Sequence, residues 1–144
     1  MSAVNDFRNK MVAAGLVFDT ITDEPGIALA TSTNVFAGMF PVSPNNAVRV
    51  ATLPSPGPVR KMGSGVAGIV HYNVMVQVVV RAKGYSVANN MMAAIVTAMD
   101  NFVGTIGSTA YKHIVLVMGP FDLGHDENKR FQFSATFQMK GGSV

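Results

Sequence analysis

The residues able to do chemistry in this chain are few and scattered. His71 falls on the polar face of a predicted strand, His113 on a second strand and His125 in a turn, whereas a metal would need them to converge with carboxylates. Only His125-Asp126-Glu127 sets ligand types side by side, and adjacent turn positions seldom supply a full ligand set, so the run reads as a solvated turn. Asp122, close by, reads as a turn or capping residue rather than a general base. No Ser/His/Asp order is accompanied by a nucleophile-elbow motif. Gly63-Ser64-Gly65 with Gly68 lacks the lysine and the helix start that a phosphate cradle needs, and reads as a flexible loop. The chain has no cysteine, which excludes a disulfide framework and any thiolate zinc site and fits assembly in a reducing compartment. These residues imply no catalytic group, no cofactor and no metal.

Composition directs attention to surfaces instead. The chain has 144 residues, the size of one ordinary domain. Hydrophobic residues make up 49% and charged residues 13%, about half the charged share of a typical soluble domain. Either the domain is simply small and rich in Ala and Gly, or neutral surface is hidden by identical neighbours; the second is favoured, because exposed neutral surface tends to associate. The net charge of +3, from 11 basic and 8 acidic residues, is spread out with no basic run longer than Arg60-Lys61, too weak a signal for a nucleic-acid binder. Arg60-Lys61 itself is open between contact with nucleic acid or an acidic partner subunit and a solvated loop tip. The longest apolar run, Val74 to Val80, is broken by Gln77 and falls far short of the ~20 residues of a membrane span. With no charged-then-apolar N-terminal segment, a soluble chain not exported by that route is expected.

The elements that position these residues follow from periodicity. Val4, Phe7, Met11 and Ala14 are at helical spacing and Gly15 is a natural stop, giving a short helix over 3–14. A linker from Phe18 to Gly26 leads to weak strand signals over Ile27 to Thr33 and Asn34 to Phe40, then a turn at Pro41-Val42-Ser43-Pro44-Asn45-Asn46 and a strand over Ala47 to Leu53. Pro54 to Gly65 carries three prolines and three glycines and reads as a long arm off any sheet. From Val70, the residues Tyr72, Val74, Val76, Val78 and Val80 share one parity of a central strand, with a mostly polar opposite face. Ser86 caps a helix whose stripe is Val87, Met91, Met92, Ile95, Val96, Met99, Phe102 and Val103, ended by Gly104. The methionines on that stripe read as gap-filling core.

The clearest pattern closes the chain. Lys129, Phe131, Phe133, Ala135, Phe137 and Met139 alternate with Arg130, Gln132, Ser134, Thr136, Gln138 and Lys140, a half-buried strand paired through the Asp126-Glu127-Asn128 turn with a strand over Tyr111 to Gly119. The expectation is a single α+β domain over residues 1–144: a mostly antiparallel sheet flanked by two α-helices, two-layered, with a long Pro/Gly-rich arm. Its core sets the Val70 to Val80 strand against Met91, Ile95, Met99 and Phe102, with Phe131, Phe133 and Phe137 in the same layer.

Three segments in order carry a family resemblance. They are Gly38 to Asn46 before a strand, the strand with Val76-Gln77 and Arg81 leading through Tyr85 into a helix, and Leu123-Gly124-His125-Asp126-Glu127-Asn128 opening the last strand. In these the chain resembles the minor capsid and tail terminator family of long-tailed bacteriophages over about Val35 to Met139, with Lys129 where that family commonly has glycine. The resemblance implies a structural virion protein without enzymatic activity: a ring subunit, usually one of six, in the tail or neck of a virion assembled in the host cytoplasm. It would cap the tail tube and join it to the head-side connector or stopper protein, without a membrane; whether the lumen face touches DNA stays open. The rivals are another neck subunit and a small-molecule-binding or enzymatic α+β domain. A ring subunit needs docking surface, and the residues expected to supply it are Ser55, Arg60, Lys61 and Met62 in the arm and Asp122, His125, Asp126, Glu127, Lys129 and Arg130 in the charged turn, all solvent-facing before assembly. Asn73, Gln77, Gln132, Ser134, Thr136 and Gln138 would add a neutral-polar sheet face.

Overall fold

A computed structural model describes residues 3–18, 27–30, 34–41, 45–53, 59–60, 69–106 and 109–142. Helix α1, Ala3–Ala13, buries Ala3, Phe7 and Met11 along one stripe, and Gly15, at φ +72°, turns the chain out of it. Ala14 lies just beyond the helix and is exposed. Strands β1, Val17–Phe18, and β2, Ile27–Ala28, form a small antiparallel pair.

The main sheet contains β3 (Val35–Ala37), β4 (Ala47–Leu53), β5 (Val59–Arg60), β6 (Ile69–Ala82), β7 (Phe102–Ile106), β8 (Thr109–His125) and β9 (Phe131–Gly142). Its order is β3-β4-β6-β9-β8-β7, with β5 also on β6. Only β3 and β4 run parallel; the other pairs are antiparallel. Strand β4 has the bounds its sequence predicts. The arm departs from expectation at Val59 and Arg60, which pair with β6 opposite His71 and Ile69; these two residues lie between its prolines and glycines, and neither being proline, each has an N–H to offer a ladder. The rest of Pro54 to Gly65 lies outside the described residues.

Helix α2, Tyr85–Met99, buries Val87, Ala88, Met91, Met92, Ile95 and Met99. Gly84, not Ser86, is its N-cap, and no side chain caps it. The helix also ends sooner than its apolar spacing suggests. Asp100 closes it, Asn101 sits at φ +61°, and Phe102 and Val103 leave the helix to begin β7. Asn is among the few residues that take this left-handed geometry cheaply. Asp100 Oδ1 then accepts a hydrogen bond from Leu116 N at 2.9 Å, pinning the reversal to β8.

Both helices share one buried cluster with one face of the sheet. The α2 stripe meets the β6 residues Val76, Val78 and Val80 and the β9 residues Phe133, Ala135, Phe137 and Met139 in that cluster, as the alternation implies. Phe7 reaches in from α1, its ring 5.1 Å from that of Phe137, and the Tyr111 hydroxyl of β8 donates to Asp6 of α1. This is the two-layered α+β arrangement.

The opposite face is less open than strict alternation suggests. Ser134, Thr136, Arg81 and Arg130 on that side are buried, as is Val79. Arg49 Nη2 donates to Gln77 Oε1 at 3.5 Å. The Gln77 Nε2 donates to Ser134 Oγ at 3.2 Å. Arg49, Gln77 and Ser134 thus link β4, β6 and β9 in a row across the sheet, although Arg49 Nε and Asn73 Oδ1 are buried without a partner, and only part of the expected neutral-polar face meets solvent.

Candidate interaction surface

The charged turn is built around one carboxylate. Asp126 Oδ1 accepts from the amides of Asn128 at 2.9 Å and Arg130 at 3.0 Å, while Arg130 Nε donates to Oδ2 at 2.8 Å. Lys129 N donates to the Asp126 carbonyl and Asp126 N to that of Arg130, each at 3.0 Å. Partial burial pushes the Asp126 carboxyl up, but the Arg130 amide, the Arg130 side chain and the Asn128 amide outweigh it and leave it below its ordinary value. Arg81 is lowered by burial and by the neighbouring Arg130 charge, with Asp126 opposing. Its guanidinium stacks on the Phe40 ring, 4.4 Å from the centroid, and Nε donates to the Asn45 carbonyl at 3.4 Å.

Asp126 and Arg130 are therefore a structural clasp. Arg130 is buried and Asp126 half-buried, which corrects the expectation that the whole turn faces solvent: a paired carboxylate and guanidinium hold the hairpin end closed. Asp122, His125, Glu127 and Lys129 do face outward. Asp122 Oδ1 accepts from Gly124 N at 2.7 Å, the turn role its position suggests. Lys129 is at φ +58°, a conformation glycine adopts without strain. Ser55, Lys61 and Met62 lie outside the described residues, and of Arg60 only the strand pairing is described.

The two histidines with described side chains each have a local neighbour. His113 Nε2 lies 3.2 Å from Asn101 Oδ1 and His125 Nδ1 3.2 Å from the Asp126 carbonyl. Among the described residues no three His, Asp or Glu side chains are grouped to hold a metal, and no helix is long and apolar enough to cross a membrane.

Two features escaped the sequence reading. The strand expected to end at Gly119 continues through Gly119-Pro120 to His125. Strand β7 covers only its first part, ending opposite Ile114, whereas β9 pairs along its length as far as Phe131 opposite His125. Among the described residues the outer half of β8 is thus a sheet edge, and it exposes Val117, Met118, Phe121 and Leu123. At the opposite edge, Gly38 at φ +85° turns the chain after β3. Beside it Phe36, Ala37, Met39, Phe40, Pro41 and Arg8 line an open depression of about 550 Å³. A dipeptide read as a strand end hid the first, and a stretch read as a weak strand running into a turn hid the second.

Comparison with known proteins bears on this surface. The family described as bacteriophage tail terminator protein matches residues 13–141. A chain in the solved virion of a native gene transfer agent particle superposes with a TM-score of 0.53 at 12% identity, covering 77% of this chain and 80% of that one. At that identity the likeness is one of fold. No curated protein matches the sequence.

Proposed function

The chain belongs to the bacteriophage tail terminator family, and from that membership we propose that it forms a homo-oligomeric ring, of six subunits, that caps the tail tube and joins it to the head-side connector. A structural role in the phage tail follows from the family itself. The match across residues 13–141 carries the reading, and the exposed apolar edge of β8 supports it, because such an edge in a charge-poor chain is suited to burial against another protein. The protein acts without a reaction or a cofactor, as one folding unit, since a shared cluster draws on both helices and on strands from β3 to β9. Its place is the virion, after assembly in the host cytoplasm, with the tube and connector proteins as partners. The arm, Pro54 to Gly65, and the outward residues of the charged turn, Asp122, His125, Glu127 and Lys129, contact neighbours in the particle.

The test is removal of the protein from an assembling phage, followed by imaging of the products. A missing cap leaves tube growth unstopped, so tails of uncontrolled length are expected. Tails of normal length lying beside filled, unjoined heads would instead make the chain a different neck subunit. Normal infectious particles lacking the chain would overturn the structural reading.

A further inference from the structure

The two edges of the sheet complement one another. The outer half of β8 offers Phe121, 50% exposed, with Met118 and Leu123, and Asp122 directly follows Phe121 in sequence. The β3 edge offers an apolar depression with Arg8 in its lining. Among the described residues the Arg8 guanidinium meets only neutral acceptors, Asn5 Oδ1 at 3.0 Å and the Val35 carbonyl at 2.9 Å. Its Nε is buried without a hydrogen-bond partner, a donor whose desolvation is uncompensated. An aromatic knob followed by a carboxylate at one edge thus matches an apolar socket with an unneutralised guanidinium at the other.

The edge itself argues against simple strand addition. Strand β8 shifts register against β9 between Leu116 and Met118, between Met118 and Phe121 and between Asp122 and Gly124, and Pro120 has no N–H to donate. Such an edge presents no regular ladder to an incoming strand. Side chains, not backbone, must therefore do the docking.

We propose that a second copy of this chain occupies the depression: Phe121 of one subunit seats among Phe36, Met39, Phe40 and Pro41 of the next, and Asp122 pairs with Arg8. Knob and socket lie on opposite edges, so the contact is head-to-tail and an open chain of subunits keeps one free edge at each end until the set closes. The inference rests on the ring reading and adds the surfaces that make the ring.

The absence of native cysteine makes a direct test simple. Met39→Cys and Leu123→Cys, the second beside the Phe121 knob and leaving it in place, are prepared as separate full-length variants and oxidised alone and mixed, both as purified protein and in purified particles. A covalent dimer is expected only from the mixture, and the double variant should give a ladder ending at the ring number. Phe121→Ser, which should melt like the parent because Phe121 is outside the buried cluster, should lose the ring species in native mass spectrometry. Rings that form normally in Phe121→Ser, or that give no mixed cross-link, would overturn the proposed contact and leave the ring reading standing. A cross-link of Leu123→Cys with itself, or with a different virion protein, would equally overturn it by naming another occupant. Absence of any oligomer, in solution and in particles, would remove the ring reading and this contact together.

Discussion

Two backbone positions at the hairpin carry opposite expectations. A Cβ on Gly119 would lie 2.7 Å from the Ser134 carbonyl oxygen, and φ there is +89°, so Gly119→Ala forces β8 and β9 apart. The expected cost is about 1–3 kcal/mol, read from the urea midpoint. Lys129 has the reverse problem, a side chain on left-handed backbone at φ +58°. Lys129→Gly should raise stability by about 0.5–1 kcal/mol and the melting temperature with it. Position 129 is thus one where glycine would be the easier residue. Asp126 adds a pH dependence. Its carboxyl sits below its ordinary value when folded, so the folded state binds its proton less readily than the unfolded chain. The stabilisation is complete above the ordinary carboxylate pKa of ~3.9 and is lost as pH falls from there through the folded value. The stability gap between the parent and Asp126→Asn should therefore be constant near neutrality and shrink on acidification, measured by denaturation at a series of pH values.

Among the elements, those with a clean period were legible and those set by one special residue were not. The parity of β9 places Phe133, Ala135, Phe137 and Met139 in the core because alternation fixes which side a residue faces. It does not fix whether the other side is covered: Ser134 and Thr136 are buried among polar neighbours all the same. The α2 stripe was readable through Met99, but Phe102 and Val103 continue its spacing by chance, and only Asn101 and the Asp100 hydrogen bond to Leu116 divert them into β7. In β8 the Gly119-Pro120 pair looked like an end because proline ordinarily interrupts a ladder. Here register shifts absorb it and the strand resumes. As a check on parity, Phe133→Ala, at a buried ring that also meets Tyr85 at 5.3 Å, should cost about 3–5 kcal/mol. The neighbouring Gln132→Ala should change the melting temperature little. Equal losses in thermal melts would mean that the assigned faces are wrong.

At the scale of the whole molecule, the interaction surface was only partly legible, since exposure depends on which edge finds a strand partner. Composition favoured neutral surface hidden by neighbours over a merely small Ala- and Gly-rich domain. It could not say that β7 stops opposite Ile114 and leaves the apolar residues beyond it uncovered. The arm belongs to this scale too. Replacing Ser55 to Gly65 by a short Gly/Ser bridge removes β5, two residues at the sheet margin, so the variant should fold with a small loss in melting temperature yet fail to complete or join tails in a particle-assembly assay. Normal infectivity would reduce the arm to a tolerated loop.

The division of β8 into two halves also separates two kinds of inheritance. Tyr111 and Ile114 belong to the buried cluster, so their identities answer to the fold. Val117, Met118, Phe121 and Leu123 lie outside that cluster and answer to whatever they meet. One continuous strand can therefore keep its first half while its second half drifts with a changing neighbour. Two descendants could then share this architecture, refuse to mix their subunits, and differ by no more than a few residues beyond Gly119.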